Sequence, residues 1–230
     1  MLSNFDFSVI VSSLPYLFGQ GMVFTVTLTA MAALGGVIIG TLLAMARLSG
    51  VPGLTQVAKG YVELCRSLPL VLVIFWFYFL VPYIGAYVTG SSTPIQVGAF
   101  PSALITFMAF EAAYFSEIMR AGIQSIPKGQ TAAAQALGMN YWQTMGNVVL
   151  PQAFRNMLPL LLTQTIVLFQ DTSLVYVLSL TDFMGAASKV AQRDGRLVEM
   201  YIFAAVVYFV ICFSASFLVR RLQRRVAIIR

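Results

Sequence analysis

Residues 70–81 read LVLVIFWFYFLV and lie within a longer stretch, 67–110, that contains no charged residue. Two further uncharged stretches cover residues 7–46 and 200–219. A helix needs about 20 apolar residues to cross the hydrocarbon core of a bilayer. Backbone groups in lipid must be paired internally, so we expect these stretches to form helices. A β-barrel would alternate apolar and polar residues, and residues 70–81 do not.

The composition supports a membrane location. Hydrophobic residues make up 59% of the 230 residues and charged residues 10%, whereas about a quarter of a soluble domain is charged. Histidine is absent, which removes the commonest general base and metal ligand. Cys65 and Cys212 have no metal-binding spacing, so no metal site is predicted. No catalytic residue is predicted either. The N-terminus lacks the pattern of a secretory signal peptide, so we expect the first span to be retained.

We predict an all-α membrane protein with five spans, in a single transmembrane domain over residues 1–230 whose core is 14–222. The spans are expected at about 21–46, 68–83, 103–122, 154–170 and 200–219. An amphipathic helix at 54–67 leads into the second span. Pro159 interrupts the short fourth span, which predicts a bent or broken helix there.

The positions of lysine and arginine predict the orientation. Basic residues lie between spans one and two, between spans three and four, and after span five, at Arg47, Lys59, Arg66, Arg120, Lys128, Arg155, Arg220, Arg221, Arg224, Arg225 and Arg230. The positive-inside rule then places the N-terminus outside and the C-terminus in the cytoplasm. Lys189, Arg193 and Arg196 disagree with this orientation, although acidic residues lie nearby. The C-terminal arginines favour a membrane anchor over a nucleic-acid site.

One polar segment is too hydrophilic to cross the membrane. Residues 122–154 read GIQSIPKGQTAAAQALGMNYWQTMGNVVLPQAF. The alanine-rich part at 131–137 predicts a helix, and Gly138 is placed to end it. A second helical stretch at 141–149 leads to Pro151. We therefore predict a short helix-turn-helix at the cytoplasmic surface, within a loop at 123–151.

The spacing in this loop resembles that of the permease subunits of ATP-binding-cassette importers. Their cytoplasmic loop has Glu-Ala-Ala, three residues, Gly, nine residues, Ile, one residue and Leu-Pro. The corresponding positions here are Ala132, Ala133, Ala134, Gly138, Val148, Leu150 and Pro151. Ala132 replaces the glutamate and Val148 the isoleucine. A literal Glu-Ala-Ala at 111–113 lacks the following glycine and lies inside a predicted span.

Other stretches extend the resemblance over nearly the whole chain. FEAAYFSEIMRAGIQSI at 110–126 and LLLTQTIVLFQDTSLVYVLSL at 160–180 are similar to the polar amino-acid branch, and most of all to permeases of glutamate/aspartate importers of Gram-negative bacteria. The resemblance implies a type I importer permease in the bacterial inner membrane that translocates amino acids. It also implies a second permease subunit, either a sister chain or a second copy, and a periplasmic amino-acid-binding protein.

The resemblance assigns ATP hydrolysis to separate partner ATPase subunits, which would bind ATP and Mg²⁺ and contact the cytoplasmic loop. This chain has no G-x-x-x-x-G-K-[ST] phosphate-binding loop, so no cofactor of its own is predicted. A self-sufficient secondary transporter or channel is the alternative, although such proteins often contain internal repeats and none is visible here. A membrane-embedded enzyme is the third possibility.

Polar residues at predicted membrane depth mark a possible substrate pathway. Burying polar and ionisable groups in lipid is costly, so those that occur there are functional candidates. The set on spans three and four is Glu111, Gln164, Gln170, Asp171 and Thr172. The other interpretation is that these groups bond helix to helix; for Glu111 and Glu117, pairing with Arg66 or Arg120 is the alternative. Asp171 is expected to cap a helix start, and a break in the chain there would expose amide groups to a substrate carboxylate.

Overall fold

The computed structural model describes residues 5–95 and 97–226. The regular elements in these residues are helical. They are α1 (Phe7–Tyr16), α2 (Val23–Leu48), α3 (Pro52–Ser67), α4 (Leu70–Phe75), α5 (Val81–Thr89), α6 (Ala99–Gln124), α7 (Lys128–Ala136), α8 (Tyr141–Thr144), α9 (Leu150–Asp171), α10 (Phe183–Asp194) and α11 (Leu197–Val226). Further helical turns are π-helical (Leu17–Met22, Trp76–Leu80, Met145–Val149) or 3-10 (Thr172–Leu178). The all-helical prediction is confirmed for this part of the chain.

Five stretches of helix within the described residues are long and apolar enough to cross a membrane. They are Phe7–Leu48, Leu70–Thr89, Ala99–Gln124, Tyr141–Leu178 and Leu197–Arg225. The predicted number of spans is therefore confirmed. The predicted bounds were too short, most of all for the first and fourth spans: the first begins at Phe7 rather than at residue 21, and the fourth covers Tyr141–Leu178 rather than 154–170.

Of the two forms predicted for the fourth span, bent or broken at Pro159, the broken form is wrong. α9 continues through Pro159 without interruption. Proline is tolerated in membrane helices because packing and hydroxyl side chains support the backbone around it. Here the hydroxyl of Thr163 donates to the carbonyl of Pro159 at 2.8 Å. The change in the chain comes later, where the 3-10 segment Thr172–Leu178 follows α9 directly.

The chain forms two compact units, each assembled from segments that are distant in sequence. Unit 1 consists of residues 1–34, 68–108 and 166–215, and unit 2 of residues 35–67, 109–165 and 216–230.

Helix α10 lies at the centre of a buried core in unit 1. Its buried face packs with α1, the π-helical segment Leu17–Met22 and the start of α11. Gly21 permits this packing, because a Cβ atom there would lie 2.9 Å from Cβ of Ala186. The buried core residues are Ile10, Leu17, Phe183, Ala186, Ala187, Val190, Ala191, Met200 and Ala204.

The start of α10 is fixed by two polar side chains. The carboxylate of Asp182 accepts hydrogen bonds from the amides of Met184 (2.9 Å) and Gly185 (3.0 Å), as an N-cap does. The hydroxyl of Thr25 accepts from the amide of Phe183 at 2.9 Å. Asp182 is fully buried. Burial raises the pKa of its carboxyl to about 6, although the hydrogen bonds from the two amides act in the opposite direction.

The basic residues that disagree with the predicted orientation have local partners. Arg193 pairs with Asp194 at 2.7 Å, and Arg196 pairs with Glu199 at 3.2 Å. The ammonium of Lys189 donates to the hydroxyl of Thr181 at 2.5 Å. The expected neutralisation by nearby acids is confirmed for the two arginines. Lys189 is held instead by neutral oxygen atoms.

Glycines bring α2 and α6 close together in unit 2. A Cβ atom on Gly40 would lie 2.9 Å from Cβ of Phe115 and 3.0 Å from the carbonyl of Ala112. One on Gly36 would lie 3.1 Å from Cβ of Glu111. Small residues at membrane helix interfaces allow this approach. Beside it lies a small core of Ala44, Phe115, Met119 and Met157.

The predicted amphipathic helix is confirmed as α3. Ala58 and Val62 are its buried residues. The hydroxyl of Tyr61 donates to the carbonyl of Ala109 at 2.6 Å, which fixes α3 against α6. Burial raises the pKa of Tyr61 well above its ordinary value, so the hydroxyl stays a donor at any physiological pH.

Candidate functional site

The predicted cytoplasmic helix is present as α7, which begins three residues earlier than expected. Ala134 is buried, whereas Ala132 and Ala133 are exposed. The helix ends where predicted: Gly138 has φ of 80°, in the left-handed region. The amide of Gly138 donates to the carbonyl of Gln135 at 2.9 Å, and the amide of Met139 donates to the carbonyl of Ala134 at 3.1 Å. These two bonds form a Schellman motif, in which glycine is the usual left-handed residue.

The second helix of the segment starts with a capping box. The Asn140 side chain accepts from the amide of Gln143 at 2.9 Å, and the Gln143 side chain accepts from the amide of Asn140 at 3.0 Å. α8 and the π-helical segment Met145–Val149 then lead directly into α9. Leu150 and Pro151 are the first two residues of α9.

Large apolar side chains are exposed around the Gly138 turn. The exposed fraction is 83% for Leu137, 64% for Tyr141 and 80% for Trp142. The rings of Tyr141 and Trp142 contact each other edge to face, with centroids 5.4 Å apart. An exposed cluster of this kind marks an interaction surface. We call Leu137, Tyr141 and Trp142 the apolar turn; the sequence pattern did not single them out.

Two of the predicted pathway residues meet in unit 2. Glu111 is fully buried on α6. The side-chain amide of Gln164 on α9 donates to its two carboxylate oxygens at 3.1 Å and 3.3 Å. The structure therefore brings this pair together and gives a buried carboxylate a polar partner.

The other three predicted pathway residues lie in unit 1, at the end of α9 and the start of the 3-10 segment. Gln170 is exposed, Asp171 is half-buried and Thr172 is buried. The capping role predicted for Asp171 is wrong, because its side chain makes no capping hydrogen bond. The chain is also unbroken here, so it exposes no new helix N-terminus: the hydroxyl of Thr172 donates back to the carbonyl of Phe169 at 2.8 Å.

A cavity of about 540 Å³ in unit 1 includes one of the predicted residues, Gln170. This volume is within the usual range for small-molecule sites. Its polar lining also contains one serine and three tyrosines. The lining residues are Gln170, Ser173, Tyr176, Met184, Tyr201, Ala204, Ala205 and Tyr208. Sequence reasoning missed the tyrosines of α11, although the i, i+3, i+4, i+7 spacing of 201, 204, 205 and 208 marks one helix face.

The helical fold, the five apolar spans and the exposed helix-turn-helix together define a multi-pass membrane permease component. Residues 36–228 match the family described as "Binding-protein-dependent transport system inner membrane component", and the chain belongs to this family. It is a permease subunit of an ATP-binding-cassette importer in the inner membrane. Nothing found supports the alternative of a self-sufficient transporter.

Curated relatives are similar over nearly the full length. The glutamate/aspartate import permease protein GltK of Escherichia coli O6:H1 is 56% identical over 224 residues, which cover 97% of this chain and 99% of the relative. The glutamine transport system permease protein GlnP of Escherichia coli K12 is 33% identical over 226 residues, with coverage of 98% and 100%.

Solved structures share the fold. A crystal structure of an amino acid ABC transporter with histidines has a TM-score of 0.86 and 32% identity, and the match covers 96% of this chain and 98% of that chain. The MetNI methionine ABC transporter in an inward-facing conformation has a TM-score of 0.71 at 19% identity, covering 93% and 97%. The second likeness concerns the fold alone.

Proposed function

We propose that this chain is the membrane-spanning subunit of an importer for acidic amino acids, with glutamate and aspartate as its substrates. ATP and Mg²⁺ are bound by partner ATPase subunits, a periplasmic binding protein delivers the substrate, and a second permease subunit, a sister chain or another copy, completes the pathway. The exposed apolar turn within the helix-turn-helix is the observation that most directly supports ATP hydrolysis by separate partner subunits.

The exposed segment suits a mechanical contact with an ATPase. α7 is closed by the Schellman motif at Gly138, and the capping box at Asn140 starts the next helix, so the backbone between them is fixed on both sides. Three large apolar side chains project from this rigid turn. Ala132, where family members carry glutamate, leaves the contact apolar and uncharged. Displacement of α7 would be passed through α8 into α9, because the segments are continuous.

The substrate pathway is proposed to include Glu111, Gln164, Gln170, Asp171 and Thr172. Gln170 and the three tyrosines around the unit 1 cavity offer neutral hydrogen-bond donors, which suit the two carboxylates of an acidic amino acid without fixing its charge. Acidic substrates are supported by the 56% identity to a glutamate/aspartate permease. The carboxylates of Glu111 and Asp171 would favour the substrate ammonium group.

The N-terminus is proposed to face the periplasm and the C-terminus the cytoplasm. Arg220, Arg221, Arg224 and Arg225 lie in the last two turns of α11, immediately after its apolar part, whereas Arg230 lies outside the described residues. Arg193 and Arg196 lie between spans four and five, on the side that this orientation places outside, but each of them is paired with an acidic residue. Positive charge beside a span favours the cytoplasmic side.

Reconstituted vesicles test the proposal. The chain is purified with its co-purifying subunits, placed in proteoliposomes, and supplied with the binding protein outside and ATP inside. We expect uptake of labelled glutamate and aspartate that requires ATP and the ATPase subunits, and little uptake of glutamine. Uptake by the isolated chain under an ion gradient, without ATP, would contradict the proposal. ATP-driven uptake of glutamine alone would contradict only the assignment of the substrate.

A further inference from the structure

Three arginines from three helices surround a single carboxylate in unit 2. Nη2 of Arg47 (α2) lies 2.9 Å from Oε1 of Glu117, and Nη1 of Arg66 (α3) lies 3.5 Å from the same oxygen. Arg120, one turn further along α6, places Nη2 2.7 Å and Nε 3.2 Å from Oε2 of Glu117. We call these four residues the arginine cluster. It holds three positive charges against one negative charge, so it has an excess of positive charge.

The arginine cluster also contains one buried donor without an acceptor, although Nη1 of Arg120 donates to Oε1 of Gln124 at 2.5 Å. The Arg47 side chain is 9% exposed, and its Nη1 atom is inaccessible to solvent and has no hydrogen-bond partner among residues 5–95 and 97–226. A buried donor on a charged group is costly to leave without an acceptor. Arg66 and Arg120 are more accessible, with 48% and 31% of their side chains exposed. The ring of Tyr114 packs under the Arg66 guanidinium, with 5.8 Å from Cζ to the centroid, and supplies no acceptor oxygen in that contact.

The position of the arginine cluster indicates what balances its excess of positive charge. Arg47 is in the last turn of α2, where the first span ends at Leu48. Arg66 is in the last turn of α3, just before the second span begins at Leu70. Both guanidinium groups therefore lie at the depth where span ends meet lipid headgroups. Exposed apolar side chains on the same two helices, Met45 and Leu64, offer a surface for acyl chains.

We propose that the arginine cluster binds the phosphate group of an anionic phospholipid. The planar guanidinium group pairs with phosphate through two parallel N–H donors, so arginine suits this ligand better than lysine does. Arg66 and Arg120 contact the phosphate from the accessible side, and the Arg47 guanidinium, which is 9% exposed and held on Glu117, adds its positive charge from beneath. Glu117 holds the three guanidinium groups together and keeps their mutual repulsion from separating α2, α3 and α6.

A pair of variants on one helix tests the site. Arg66→Gln removes one positive charge from the arginine cluster but leaves Arg47 and Arg120 on Glu117. Lys59→Gln is the matched control: it removes one positive charge from the same helix, at a side chain that is 62% exposed and pairs only loosely, at 3.7 Å, with Glu63. Phosphatidylglycerol is titrated into the delipidated complex in maltoside micelles and counted by native mass spectrometry. Arg66→Gln is expected to weaken its retention about fivefold, as one arginine near a lipid headgroup does. Lys59→Gln leaves it unchanged.

A second measurement on the unaltered protein remains decisive should Arg66→Gln fail to assemble. Phenylglyoxal modifies accessible arginines, and the extent at each position is read by peptide mass. Phosphatidylglycerol is expected to protect Arg66 while the exposed Arg155 stays reactive, and an uncharged glycolipid with the same acyl chains gives no protection. Equal protection by inorganic phosphate would support the phosphate site but identify a free anion as its ligand. The proposal is overturned if neither ligand protects Arg66, or if both variants retain phosphatidylglycerol like the unaltered protein.

Discussion

The side-chain amide of Gln164 lies 3.1 Å from one carboxylate oxygen of Glu111 and 3.3 Å from the other. This contact links α9 to α6 at a carboxylate with no exposure to solvent. A hydrogen bond to a charged group contributes about 1.5–3 kcal/mol. Gln164 therefore has a structural role whether or not a substrate passes it, whereas Gln170 lines the cavity of unit 1.

The substrate pathway is tested with alanine at both glutamines. Gln170→Ala is expected to lower ATP-driven glutamate uptake at least about tenfold without lowering the melting temperature, because it removes a donor to a substrate carboxylate. Gln164→Ala is expected to lower both, because Glu111 loses the hydrogen bonds from Gln164. Gln56→Ala, at an exposed position of α3, serves as the control and changes neither. Normal uptake and selectivity in both Gln164→Ala and Gln170→Ala would mean that these residues only pack helices.

Coupling to ATP hydrolysis is tested at the turn after α7. Gly138→Val places a β-branched side chain at φ of 80°, where a left-handed residue with a Cβ atom costs about 1–2 kcal/mol. We expect loss of substrate-stimulated ATP hydrolysis with normal membrane insertion. Gly129→Val is the matched control: Gly129 lies in the same helix, has no positive φ, and has open space around its Cβ position. Normal transport by Gly138→Val would contradict the coupling assignment.

The orientation is tested by labelling single cysteines from each side of the membrane. The two native cysteines are first replaced by alanine, at Cys65 and Cys212. A membrane-impermeant maleimide should then react with Gly90→Cys from the periplasmic side of intact spheroplasts. Gln223→Cys should react only after the membrane is opened. Reversed labelling would invert the proposed topology and place the apolar turn in the periplasm.

The close approach of α2 and α6 predicts a large effect of one methyl group. Gly40→Ala places a Cβ atom 2.9 Å from Cβ of Phe115 and 3.0 Å from the carbonyl of Ala112. Overpacking of this kind costs about 1–3 kcal/mol, so we expect a lower melting temperature of the purified complex. Gly60→Ala adds the same methyl group to a helix where nothing lies within 4 Å. A stability of Gly40→Ala equal to that of Gly60→Ala would show that α2 and α6 are further apart.

The start of α10 is expected to depend on pH. The pKa of Asp182 is raised from 3.8 to about 6 in the folded protein, so the folded state holds this proton more tightly than the unfolded state. Its contribution to stability is fully present below about pH 4 and is lost as pH rises to about 6. Asp182→Asn keeps the acceptor oxygen without the charge. Hydrogen exchange of the α10 amides should show opening that grows from about pH 4 to 6 in the unaltered protein, relative to Asp182→Asn. Identical pH profiles would contradict the raised pKa.

The features that sequence predicted well are local ones. The uncharged stretches determine the spans because each helix that crosses the bilayer needs its own run of about 20 apolar residues. The end of α7 at Gly138 follows from the backbone preference of one residue. The segment 141–149 and the amphipathic α3 follow from helical periodicity in the same way.

The features that sequence missed depend on what lies beside a residue. The sequence 171–173, Asp-Thr-Ser, has the composition of a helix start. However, α9 runs directly into the 3-10 segment, and the side chain of Asp171 makes no capping hydrogen bond. Pro159 has the composition of a helix stop, but it sits inside a supported helix. Arg47 and Arg66 looked like markers of orientation, and only tertiary structure reveals that both meet Glu117. Neighbours from distant parts of the chain decide each of these cases.

Arg196 lies 3.9 Å from Asp6 and 3.2 Å from Glu199, and the amide of Asp6 donates to Glu199 at 3.4 Å. Asp6 and Glu199 are 193 positions apart. During synthesis the start of the chain leaves the ribosome long before α10 and Glu199 exist, so the first helix is made well before its partners on α10 and α11. Contacts this distant in sequence form late. A nascent chain interrupted before α10 would therefore carry a first helix that lacks both its packing partners on α10 and the contact between Asp6 and Glu199.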